Sequence, residues 1–129
     1  MNRESWPKII RDVGFDFEWD NKKVWALDVP VTEMPIDKLS WHFDVPFLWE
    51  NGVYNLTPRE VLDNLEKHKK EYARTMAVDL SYPIDIMMNK GRWLILDGLH
   101  RLMKAKITGH RTVLVRKIPS RLTHKILKS

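Results

Sequence analysis

One short stretch, residues 93–109 with the sequence WLILDGLHRLMKAKITG, limits the possible folds more than any other, because its hydrophobic period changes inside a polar cluster. Trp93, Leu94, Ile95 and Leu96 form a continuous apolar run of strand type, whereas Leu99, Leu102, Met103 and Ile107 recur at helical spacing. Asp97 and Gly98 mark the change. A strand that ends at Asp-Gly and restarts as a helix turns free backbone N–H groups toward the space beyond the strand, and their summed dipole favours an anion. His100 and Arg101 fall in that first helical turn, where the dipole alone would select acidic residues. A bound phosphate or carboxylate is one explanation for them.

The pentapeptide Asp97-Gly98-Leu99-His100-Arg101, with a hydrophobic strand before it and a helix, Gly109 and the run Val113-Leu114-Val115 after it, resembles the D-G-x-H-R signature of the ParB/sulfiredoxin-like superfamily. The match is closest to the free-serine-kinase-like branch. Met34-Pro35-Ile36-Asp37-Lys38-Leu39 is similar to the opening box of ParB N-terminal domains, and Pro83-Ile84-Asp85-Ile86 to the strand before the signature. Together these cover residues 30–118. The resemblance implies an α+β fold, a small mixed sheet with two main helices, and a phosphate or nucleotide site made by Gly98, Leu99, His100 and Arg101. It further implies a nucleotide triphosphate, ATP or CTP with Mg2+, as cofactor, with Asp97 as the candidate metal ligand. Where sulfiredoxins carry their cysteine this chain has Leu99, which excludes that thiol chemistry. Where partitioning-type ParB proteins carry a second arginine it has His100. The kinase-like branch draws its base from an N-terminal glutamate, for which Glu33, Asp44 and Asp37 are the candidates.

The residues themselves suggest a role for each member. Gly98 lets backbone approach an anion closely. Arg101 offers a planar fork for two phosphate oxygens. His100 can donate to a phosphate or carry a proton near neutral pH. The ordinary alternatives are Asp97 as helix N-cap, Gly98 as a turn residue and Arg101 paired to a surface acid. The aromatic stretch 41–49 also has two readings. It is a hydrophobic plug of Phe43, Phe47 and Trp49, or a substrate loop in which a ring stacks on a base and His42 or Asp44 acts as acid or base, with Asp37 and Lys38 nearby.

With 129 residues the chain reads as a single domain, residues 1–29 forming an N-terminal extension outside the resemblance and 120–129 a basic tail. The net charge of +5 is unevenly placed: residues 98–129 hold nine Lys/Arg and no acid, so the remainder carries −4. Such a block can hold nucleotide phosphates, attract nucleic acid or lie solvated. The absence of cysteine and of any membrane-length apolar run suits a cytoplasmic protein without a membrane partner. Two functional classes stay open. One is a small ATP- or NTP-dependent kinase or hydrolase; the other is a DNA-binding or nuclease-like ParB domain, or a non-catalytic binding module.

Pattern and punctuation predict the remaining elements. Residues 8–13 read as a short helix closed by Gly14, and the alternation Phe15, Phe17, Trp19 as a half-buried strand turning at Asn21-Lys22 into a hairpin partner at 24–27. Residues 28–54 read as irregular apart from one turn at 36–39. Thr57-Pro58-Arg59-Glu60 begins a helix whose face Val61, Leu65, His68, Tyr72, Met76 runs on without a break, with Lys67, Lys69, Lys70, Glu66 and Glu71 on its solvated side. A hairpin through Asn89-Lys90-Gly91 delivers the chain to the signature. A strand follows over 112–118, stopped by Pro119, and then a tail with Leu122 and Ile126 on one face.

Overall fold

The computed structural model describes residues 6–50 and 52–129 as a small α+β protein built on a four-stranded mixed sheet. Its strands are β1 (Val31–Pro35), β2 (Ile84–Asn89), β3 (Arg92–Asp97) and β4 (Thr112–Lys117), in the spatial order β1-β4-β2-β3. The pairs β1–β4 and β2–β3 are antiparallel, and β4 lies parallel to β2. The helices are α1 (Lys8–Val13), α2 (Asn21–Trp25), α3 (Pro58–Asp63), α4 (Lys69–Met76), α5 (Leu99–Ile107) and α6 (Thr123–Ile126).

The β2–β3 hairpin turns at Lys90 and Gly91, both with positive φ, as a two-residue turn matched to strand twist requires. Side chains alternate across the sheet. Ile84, Ile86, Val113 and Val115 join Leu102 and Met103 of α5 in one core. Met87, Leu94 and Leu96 turn to the other face and meet Phe15, Val24, Ile118 and Ile126 in a second. The extension and the tail therefore cover one face of the sheet.

That face departs from the expected hairpin. Phe15, Phe17 and Trp19 do place their rings together, with centroids 5.1–6.1 Å apart. The partner of this extended stretch is the chain's far end: Asp20 N–H donates to Ile126 O at 2.8 Å, and Lys128 N–H to Glu18 O at 3.1 Å. Residues 21–25 form α2 because the Asp20 side chain caps it, accepting from Lys22 N–H at 2.8 Å. The C-terminal carbonyls of this segment are met by Arg116, which reaches Val24 O at 2.9 Å and Leu27 O at 2.8 Å.

Two further expectations are corrected. Residues 31–35, read as irregular because of their flanking prolines, form β1, an edge strand where proline is tolerated. The helix begun at Thr57 does not run through to Met76: Asn64 ends it, its side chain accepting from Lys67 N–H at 3.1 Å and so competing with the helical pattern. Helix α4 restarts after His68 in a different phase, and its buried residues are Glu71 and Thr75. Glu71 thus leaves the solvated side assigned to it. The start itself is as expected, with the capping box complete: Glu60 N–H donates to Thr57 Oγ1 at 3.1 Å, and Thr57 N–H to Glu60 Oε2 at 2.8 Å. Thr57→Ala is expected to cost about 1 kcal/mol in urea unfolding; no change would mean that packing alone holds α3.

Strand β3 lies at an open edge of the sheet, and aromatic side chains close it. Trp41 Nε1–H donates to Trp93 O at 3.2 Å, His42 Nε2 accepts from Ile95 N–H at 3.1 Å, and Trp19 Nε1–H donates to Leu96 O at 3.1 Å. Unpaired groups that would recruit another strand are occupied. Phe43 is buried in the interior as a plug would be and Phe47 packs partly buried against the core, whereas Trp49 is more than half exposed and meets Tyr54 edge-on. No helix among the described residues is long and apolar enough to cross a membrane.

Candidate functional site

The register of β2 and β3 shifts near Asp85 and Ile86, so that Leu96 is the extra residue and Asp97 comes opposite Asp85. Asp97 therefore stands at the end of the sheet, and Gly98 takes φ 118° to turn the chain into α5. That conformation is strained for any side chain. A Cβ at Gly98 would also lie 3.1 Å from Arg101 Nη1 and 3.2 Å from Ile84 Cα. The glycine is thus required by the protein's own packing, whatever binds beyond it. Gly98, and not Asp97, occupies the N-cap position, with no side-chain cap.

A cavity of about 420 Å3 opens at this junction. Asp97, Gly98, Leu99, His100 and Arg101 form one end, and His42 also borders it. The remaining wall is mainly apolar and includes six aromatic rings, Trp6, Phe15, Phe17 and Trp19 from the extension and Phe47 and Tyr54 from the segment before α3. The extension supplies core and cavity wall together. Its alternating rings were the available signal; their position over the signature needed the pairing with the C-terminus.

The polar end is tightly connected. Asp97 Oδ2 accepts from Trp25 Nε1–H at 2.9 Å and from Arg101 Nη2 at 3.3 Å. Arg101 Nη1 donates to Pro83 O at 2.5 Å. Two of the five guanidinium donors are thereby used, which leaves others for a ligand. His100 Nε2 meets Glu71 Oε2 at 3.0 Å across the α4–α5 contact, and Arg74 approaches Glu71 Oε1 at 3.5 Å from solvent. Glu71 is missing from the sequence-based candidates. Its signal is the polar stripe made by the α4 N-cap His68 with Glu71 and Thr75, at helical spacing, which the apolar count passed over.

Other candidates lie apart from this cavity. Asp44 holds Arg59 in an exposed ion pair, Nε to Oδ1 at 2.6 Å, and that guanidinium keeps the Asp44 carboxyl below its usual range. Asp37 is exposed at the turn Ile36–Lys38, where its carbonyl accepts from Ser40 Oγ. Lys38 borders a separate open cleft with Arg92, Trp93 and Lys117. Of residues 37–44 only His42 borders the cavity, and Phe47 and Leu48 of the same aromatic stretch border it as well.

His42 is buried and committed to the backbone. Its Nδ1–H donates to Leu39 O at 2.7 Å while Nε2 accepts from Ile95 N–H, so the ring is the neutral Nδ1–H tautomer. Burial, aided by the charge of Arg92, pulls its pKa from 6.5 to about 4 against the opposing Leu39 hydrogen bond. A ring with both nitrogens in use is a strut, not an acid or base.

Among the described residues no group of three or more His, Asp or Glu could hold a metal ion. Asp97 offers Oδ1, its Oδ2 being engaged. Any Mg2+ here would arrive on a ligand's phosphates with one protein oxygen added. Comparison with protein-family models, with curated proteins and with solved structures yields no match.

Proposed function

We propose that this chain is a nucleotide-binding domain of the ParB/sulfiredoxin type, acting as a small ATP- or NTP-dependent kinase or hydrolase. One observation carries the reading: the strand–Asp97-Gly98–helix junction opens into a cavity walled by aromatic rings. A ligand with an anionic head and a flat, largely apolar body matches both ends, and a nucleotide has that make-up. Its phosphates would take the first N–H groups of α5 and the spare donors of Arg101. Its base would lie among the rings, and His100 would serve in proton transfer. Asp97 Oδ1 would be the protein atom to hold a Mg2+ ion, which would supply charge neutralisation for the phosphates.

Nucleic-acid binding draws less support, because several cations of the basic segment are spent on the protein. Lys104 donates to Val78 O, Arg116 is buried against Asp85, and Lys117 lies over the Trp93 ring.

A thermal-shift and calorimetric panel of ATP, ADP, CTP and GTP, with and without Mg2+, tests the proposal beside a single-stranded oligonucleotide. Arg101→Ala is expected to weaken nucleotide binding by about one to two decades, the equivalent of about 1.5–3 kcal/mol for a charge-assisted contact. Unchanged nucleotide affinity in that variant, or oligonucleotide affinity that falls steeply with salt while nucleotides fail to bind, would overturn it.

A further inference from the structure

We infer that Glu71 is the positioning residue of His100, holding the ring as an Nε2–H donor so that Nδ1 is the base presented to the cavity. The inference rests on the reading of that cavity as a site of phosphoryl chemistry. Its support is geometric. A carboxylate buried in a helix–helix contact needs a partner, and Glu71 on α4 finds two: His100 at 3.0 Å on Oε2 and the exposed Arg74 at 3.5 Å on Oε1. The chain's other strictly buried acid, among the described residues, is Asp85. It pairs with Arg116 inside the sheet and touches no cavity-lining histidine.

The carboxylate fixes the ring. A carboxylate accepts, so in the neutral ring Nε2 carries the proton and Nδ1 the lone pair. Among the described residues Nδ1 has no hydrogen-bond partner, and His100 borders the cavity beside Gly98 and Arg101. A nitrogen base oriented by an acid on its far side, next to helix N–H groups, is the arrangement that activates a hydroxyl beside a held anion. His42 offers the contrast, since both its nitrogens are bound to backbone.

The step balances as follows. The O–H of water or of an alcohol gives its proton to Nδ1 while its oxygen bonds to the terminal phosphorus. The bond from that phosphorus to the bridging oxygen breaks, and the nucleoside diphosphate leaves with the electron pair. The imidazolium then returns its Nδ1 proton to solvent.

The test combines 15N NMR of the His100 ring in the ligand-free protein with ATP turnover and ATP affinity. Wild type should show a single Nε2–H tautomer. Glu71→Leu, which removes the acceptor, should give mixed tautomers and lower kcat by about a hundredfold, with ATP affinity changed by less than about twofold. Glu71→Gln keeps an acceptor for Nε2–H; it should preserve the tautomer and recover part of kcat, and thermal midpoints establish that both variants are folded. An unchanged tautomer in Glu71→Leu would overturn the inference, as would a changed tautomer with unchanged kcat. No turnover by wild type, beside an intact tautomer preference, would instead overturn the reaction proposed for the site and with it any catalytic part for Glu71.

Discussion

Replacing His42 with alanine is expected to remove about 3–5 kcal/mol of stability, a large part of what a domain of this size possesses. The ring is almost fully buried, stacks on Trp41 at 3.9 Å and faces Phe47 at 5.4 Å. Its loss leaves a void and strands two backbone groups, Ile95 N–H and Leu39 C=O. Urea unfolding should show a lower midpoint with little change in slope. His42→Phe, which keeps the volume and loses both hydrogen bonds, should fall between. A loss under about 1 kcal/mol in the alanine variant would show that water or neighbouring groups replace the ring.

The same residue sets an acid response. In the folded chain His42 stays neutral down to about pH 4, while the unfolded chain takes up the proton near 6.5. The unfolded state therefore binds more protons between these values, and stability rises with pH across that window. It should be complete above pH 6.5 and fall by about 3 kcal/mol on the way down to pH 4, with no further loss from this group below. The carboxyls of Asp12, Asp44 and Asp79 are lowered too, so they act with the same sign at lower pH. Their contribution is present above the ordinary carboxylate range and is lost at more acid pH, so the two responses separate. In His42→Phe the slope between pH 6.5 and 4 should flatten; an unchanged slope would assign it to other groups.

Arg116→Met should have an effect of similar size, about 3–5 kcal/mol, because it breaks a buried ion pair from one side. Asp85 and Arg116 are register partners on the parallel strands β2 and β4, with Nε to Oδ1 at 2.7 Å. Two further guanidinium donors, one on each Nη, hold Leu27 O and Val24 O. The variant would leave a buried carboxylate unpaired and would also release α2. Asp85→Leu combined with Arg116→Met should recover the charge penalty, since an apolar pair of similar volume is tolerated, yet not the tether. Amide exchange over residues 21–27 should thus stay fast in the double variant while global stability partly returns. Slow exchange there would show that α2 is held by its own cap and by packing. Release of α2 would also withdraw Trp25 from Asp97, so that Arg101 becomes more mobile at the cavity.

The parts of this protein that were legible in its sequence are those in which local chemistry acts alone. The period change at Asp97-Gly98, the capping box at Thr57, the hairpin through Lys90-Gly91 and the helix ended near Gly109 each depend on residues a few positions apart. Backbone sterics and near-neighbour hydrogen bonds suffice to decide them. The small mixed sheet follows from their order.

What lay outside that range depended on partners distant in the chain. The stretch 15–19 has the pattern of a strand, but whether its mate is residue 24 or residue 127 is settled by a contact across more than a hundred positions. Helix α2 stands where a hairpin was expected because Asp20 caps its start and Arg116, some ninety residues later, supplies donors to its end. Glu71 looks like one more surface acid until Asn64 resets the phase of α4 and turns it toward His100. His42 has the chemistry of a catalyst in the sequence and the duty of a strut in the fold, because β3 ends the sheet beside it and needs an acceptor for Ile95 N–H. Local sequence sets which side chains can do chemistry; the closing of long loops decides which of them retain a free nitrogen or oxygen to do it with.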